Sequence, residues 1–251
     1  MKVKKTVHLS LIIPLLVAMT AGIFGEESEL PSELSFLAET KTPDILFLAG
    51  EITTIDSTGA ALTILPFRFY WEEGNYALDV RNYSGSIALF VRGIADTVWI
   101  YDFYHNTKIT SLRNQSLGMV TGIPFSPKDI LPIFNLYIEG NMGNLDTVKV
   151  EGSRITAISK RGYVYVFDSE TGLLVELREK SRKITFSEHL AKKGFKVPHM
   201  ITINEGFLIP IASATAITIK EMDLNPGDEN NLLLHKEPLN MERAFDLRSN
   251  N

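Results

Sequence analysis

Cysteine is missing from all 251 residues. Disulfides are therefore excluded, and the folded form must be held by its core alone. A bacterial lipoprotein carries its lipid on a cysteine at the mature N-terminus, so that form of acylation is excluded too. Motifs for common chemistry are also missing. The histidines are His8, His105, His189, His199 and His235, and none falls in an HxH or HExxH pattern. No GxSxG, GxGxxG or GxxxxGK[ST] occurs, so a serine-hydrolase elbow and a phosphate-cradling loop are absent. No metal or cofactor is expected. Carboxylates are plentiful, and a glycosidase needs only two. Glu72-Glu73 and Asp102 leave an envelope hydrolase open, although turns are commonly acidic without catalysis. No basic patch is present, and nucleic acid is not an expected partner.

Long apolar runs are scarce, and the exception is at the N-terminus. Lys2, Lys4 and Lys5 precede an apolar core over Leu9–Ala18, and small residues follow at Ala21, Gly22 and Gly25. This is the layout of a secretory signal peptide over residues 1–25. Cleavage after Gly22 and after Gly25 both fit. An uncleaved anchor is the alternative, but the run is near the lower limit for spanning a bilayer and Glu26-Glu27 follow it. Loss of the three lysines takes the net charge from −5 to −8. The hydrophobic content of 45% suits one globular domain, expected over residues 26–240, with a polar tail over 241–251.

Helix signals are few. Leu30, Leu34 and Leu37 form one stripe, with Pro31 near its start and Pro43 past its end, which predicts a short amphipathic helix over Pro31–Thr40. The second signal is in Gly118–Asn141. Ser126 can cap a helix, Pro127 fits its first position, and Gly140 supplies a stop. Ile130, Leu131, Ile133, Phe134, Leu136, Tyr137 and Ile138 give it an apolar surface too broad for a helix lying on water. Pro132 predicts a kink, or a start nearer Asp129.

The rest reads as an antiparallel meander. Strands are expected over Ile45–Ile55, Leu62–Trp71, Tyr76–Tyr83, Ser86–Arg92, Thr97–Tyr104 and Thr107–Leu112. After the central helix come Thr147–Glu151, Arg154–Ser159, Tyr163–Asp168, Leu173–Lys180, Lys183–His189, Phe195–Asn204 and Thr215–Glu221. Pro198 marks its strand as an edge, or as starting there. Large apolar residues alternate along several strands: Leu65, Phe67, Phe69 and Trp71; Tyr76, Leu78 and Val80; Ile87, Leu89 and Val91; Trp99, Tyr101 and Phe103. Arg68, Asp79, Arg81 and Arg92 stand between them. One sheet face is thus expected to be apolar and the other to meet water. Two helices cannot cover such a face flatly, so the sheet is expected to curl. Taken singly, each of these aromatics is ordinary core more often than ligand contact.

The segment Gly122-Ile123-Pro124-Phe125-Ser126-Pro127-Lys128-Asp129-Ile130-Leu131 resembles the LolA/LolB superfamily of lipoprotein carriers and receptors. It is closest to a LolB-like branch carrying a G-[IL]-P-x-S-P-x-D-[IL]-L helix. Ile184-Thr185-Phe186-Ser187, Gly194-Phe195 with Pro198, and Ile217-Thr218-Ile219 extend the likeness, which spans most of Leu34–Pro238. The resemblance implies a mainly β fold: an open antiparallel half-barrel closed by a helical lid. It implies acyl chains held on an inner face, here Leu65, Phe67, Phe69, Trp71, Leu78, Leu89, Trp99, Tyr101, Phe103, Ile130, Phe134 and Tyr137. A lid-locking arginine of the carriers has only positional candidates, Arg68, Arg81 and Arg92. Without a lipidation cysteine the chain looks like the soluble carrier rather than the anchored receptor. The expected function is a periplasmic, non-enzymatic carrier of lipoprotein acyl chains or lipid, with envelope membrane proteins as possible partners. A lipid- or stress-sensing regulatory module and a structural envelope protein with a filled core are the alternatives.

Overall fold

The computed structural model describes residues 32–39, 43–113, 145–160, 162–179, 182–204, 213–235 and 241–248. The expected signal peptide and the expected helix containing Ile130, Phe134 and Tyr137 lie outside them. Fourteen strands are present among the described residues, all in one sheet. The first half comprises β1 (Ile45–Ile55), β2 (Ala61–Glu72), β3 (Asn75–Arg81), β4 (Ile87–Ile94), β5 (Thr97–Asp102) and β6 (Thr107–Leu112). The second comprises β7 (Leu145–Glu151), β8 (Arg154–Ser159), β9 (Tyr163–Asp168), β10 (Leu174–Glu179), β11 (Arg182–Lys192), β12 (Phe195–Ile203) and β13 (Ala214–Asp223). A short β14 (Arg243–Asp246) completes it.

The order across the sheet is β14-β6-β5-β4-β3-β2-β1-β13-β12-β11-β10-β9-β8-β7. Two meanders therefore meet at β1 and β13, and the sheet remains open, with β14 and β7 at its ends. Every pairing is antiparallel except β14 with β6. Tight turns set the register. Glu73 and Gly74 both have positive φ, as a two-residue hairpin turn requires. In the β1–β2 turn, the Asp56 carboxylate accepts from the backbone N–H groups of Thr58 and Ala60. At the central junction a Cβ on Gly50 would lie 1.9 Å from the Thr218 carbonyl oxygen, so the register shift there admits only glycine.

Several expectations are corrected. No α-helix occurs among the described residues; the predicted Pro31–Thr40 helix is a 3-10 helix over Ser32–Glu39, and it buries Leu34 completely. Pro198 is not on an edge strand, because β12 runs between β11 and β13. It lies opposite His189 in the part of β12 that β13 does not reach, so its missing N–H costs no ladder bond to β13. The segment read as a polar tail contributes β14, and Leu247 packs against the main core. No helix among the described residues is long and apolar enough to cross a membrane.

Candidate functional site

Strand pairing places a continuous apolar surface on one face of the sheet. Ile100, Val91, Leu78, Phe69, Leu48 and Met222 are successive cross-strand partners from β5 to β13. A second row runs through Leu65, Ile52, Ile217, Ile201 and Phe186, from β2 to β11. Tyr165, Phe167 and Ile155 carry the same buried cluster across β9 and β8. Each such side chain removed from water contributes about 1.5–3 kcal/mol to the fold. The two meanders therefore share one apolar face.

The expected site residues divide. Leu65, Phe67, Phe69, Trp71, Leu78 and Leu89 lie together on this face. Trp99 and Tyr101 do not: they pack in a separate cluster with Phe47, Tyr70 and Phe90 on the opposite face. From β5 it is Val98 and Ile100 that reach the apolar face. Val98, Trp99, Ile100 and Tyr101 are all apolar, so alternation along β5 gives two equal phases. The two-residue turn at Ala95-Asp96, with Ala95 at φ 49°, selects the phase by pairing Ile94 with Thr97. Phe103 lies past the end of β5, in the β5–β6 turn. Ile87 is displaced as well. A register shift between Val80 and Arg81 pairs it with Arg81 and turns it to the opposite face.

The opposite face is not simply wetted. Phe47, Tyr70, Phe90 and Tyr101 are buried there, with Leu232 from a 3-10 turn over Leu232–Leu234 packed among them. Leu232-Leu233-Leu234, the apolar break in a polar stretch, was the one sequence signal for this cover. Asp79 is fully buried on the same face. One of its carboxylate oxygens accepts from Arg68 Nη2 at 2.5 Å and Arg81 Nη2 at 3.1 Å. Arg92, the cross-strand neighbour of Trp99, also faces this side. All three positional candidates for a lid-locking arginine therefore point away from the apolar face. His235 stacks on Phe90. Burial, with Arg68 adding to it, holds its imidazole below the usual histidine range.

Chemistry is sparse. The depression beside the central bulge, about 310 Å³, is lined by Glu51, Arg68, Arg81, Lys220 and Glu221 among others, and Lys220 is paired to Glu51 at 2.6 Å. Arg68 and Arg81 are likewise held by Asp79, so these charges do not converge on one point in the depression. Asp102 and His105 form a pair at 2.6 Å, with the imidazole largely exposed. No group of three or more His, Asp or Glu side chains among the described residues is arranged to hold a metal.

Solved structures match this architecture. A DUF1329 family protein from Desulfovibrio piger aligns with a TM-score of 0.54 and 13% identity, over 76% of this chain and 89% of its own. A putative outer membrane lipoprotein-sorting protein domain from Vibrio parahaemolyticus aligns at 0.52 and 12%, over 76% and 90%. A LolA superfamily protein from Nitrosomonas europaea aligns at 0.52 and 11%, over 79% and 94%. The fold is LolA-like. No family model matches the sequence, and no curated protein matches it. At these identities the likeness concerns the fold alone. In the LolA-like sheet described here, the apolar face common to both meanders is the candidate binding surface.

Proposed function

We propose that the protein is an exported, soluble carrier that binds lipid or lipoprotein acyl chains on the apolar face of its LolA-like sheet, without enzymatic activity. The observation that carries this is the unbroken apolar row from Ile100 on β5 to Met222 on β13. The row is largely buried and stabilises the sheet, and it is also a long apolar bed of the kind an acyl chain needs. Burial of a chain contributes about 0.8 kcal/mol per methylene, so a lipidated cargo cannot cross water without such a cover. The lipoprotein-sorting neighbour supports the same cargo class.

The binding residues are Leu65, Phe67, Phe69, Trp71, Leu78 and Leu89, joined by Val91 and Ile100. The Ser126–Glu139 segment, with Ile130, Phe134 and Tyr137, is proposed as the lid. Residues 1–25 direct export to the periplasm, where envelope membrane proteins would donate and accept cargo.

Mass spectrometry of organic extracts from protein purified out of its native host tests this. Acyl lipid or lipoprotein near one equivalent is expected. A lipid-free extract would favour the structural alternative, in which the buried face is core alone.

A further inference from the structure

We infer that Arg113 and Tyr76 form an anion-accepting end to the apolar face, fitted to the carboxylate or phosphate of an amphiphile whose chain lies along the sheet. This inference rests on the carrier function proposed above and names the ligand class.

Tyr76 belongs to β3 and its side chain is wholly within the apolar cluster. Its hydroxyl is buried without a hydrogen-bond partner. Arg113 follows β6 directly, and its backbone N–H is fixed to the Asp96 carbonyl at 2.8 Å. From there its side chain crosses the end of the sheet. The guanidinium carbon stands 5.5 Å from the centre of the Tyr76 ring, and Nη2 donates to the Gly74 carbonyl at 2.8 Å in the β2–β3 turn. Its Nε is buried and has no partner. Among the described residues Arg113 makes no ion pair. The nearby Trp71 indole, by contrast, donates to the Pro43 carbonyl.

Two buried donors therefore stand unused in one small cluster, at the rim of an otherwise apolar face. Burial with no partner is costly for each. Both offer hydrogens, and one carries a positive charge, so the missing group is an acceptor and an anion. Burial also pushes the Tyr76 phenol well above its ordinary range, which keeps it a donor at neutral pH. A purely structural cation–π brace between β6 and the β2–β3 turn would need only the ring, and phenylalanine would supply that.

Dansyl-undecanoic acid and its methyl ester are the probes, titrated against the full-length mature protein and followed by fluorescence. Wild type is expected to bind the acid about tenfold more tightly than the ester, in keeping with a charge-assisted hydrogen bond. Arg113→Met should abolish that preference with ester binding unchanged, Arg113→Lys should keep part of it, and Tyr76→Phe should reduce it. Competition by palmitate and by lysophosphatidate then distinguishes carboxylate from phosphate. If Arg113→Met fails to fold, Tyr76→Phe decides, because it keeps the ring and the packing. An acid-to-ester ratio unchanged in the folded variants overturns the anion site. Equal binding of both probes by wild type overturns it while leaving the carrier function intact, whereas binding of neither probe overturns both.

Discussion

Tyr76 lies flat over Gly93, its cross-strand partner: a Cβ on Gly93 would be 2.3 Å from Tyr76 Cε1. The ring is fully buried and cannot swing aside cheaply. Gly93→Ala is expected to destabilise by about 1–3 kcal/mol through overpacking. Urea denaturation measures this. A midpoint equal to that of wild type would show that the ring has room to move.

The double arginine clamp on Asp79 predicts non-additive losses. Asp79→Asn leaves two guanidinium groups without their common anion. Their side chains are 26% and 34% exposed, so water relieves part of the cost, and about 2 kcal/mol is expected instead of the full value for a buried pair. Arg68→Ala or Arg81→Ala alone should cost less, since the other arginine still holds Asp79. The double arginine variant should lose more than the sum of the single changes. Strict additivity in denaturation midpoints would contradict the shared clamp.

Mild acid should weaken the fold through its histidines. Burial, reinforced by Lys196, holds the His189 imidazole below its ordinary value of 6.5. Well above pH 6.5 the residue is neutral in folded and unfolded chains alike, and its contribution is complete. Below that, the unfolded chain takes up the proton first, and stability falls until the folded value is passed. His235 shifts in the same direction. Stability should therefore decline as pH drops from 7 to about 5, and His189→Gln should flatten that decline. An identical slope in the variant would remove His189 from the account.

The proposed lid is tested by Phe134→Asp. A charge entering the binding face should abolish binding of a fluorescent fatty acid while circular dichroism of the sheet is retained. Loss of fold and binding together would make the segment permanent core, with the Ser32–Glu39 segment as the alternative mobile cover.

The strands of the LolA-like sheet were legible because turn residues bound them and most of them alternate in polarity. The expected span Ile45–Ile55 is β1 itself, and the expected strands Leu62–Trp71 and Tyr76–Tyr83 pair as the β2–β3 hairpin. The phase between strands was less legible. Trp99 and Tyr101 drew attention by size, yet the neighbouring Val98 and Ile100 are apolar too, and only the turn length decides which pair faces inward. Ile87 was misplaced because a register shift carries no polarity signal. The buried opposite face was hidden for a related reason: Arg68, Asp79 and Arg81 read as solvent contacts, but the two arginines pair with the buried Asp79 on the face that Leu232 covers. Arg113 sits past a strand end, where periodicity has nothing to say.

Trp71 and Trp99 are the two tryptophans of the chain, and they lie on opposite faces of the sheet. Quenching by a brominated fatty acid therefore reports which face holds the acyl chain. The measurement uses Trp99→Phe, which leaves Trp71 as the sole indole, and Trp71→Phe, which leaves Trp99. Saturable quenching of Trp71 with little effect on Trp99 is the result expected of a carrier that loads its apolar face. Quenching of Trp99 alone, of both equally, or of neither would contradict it.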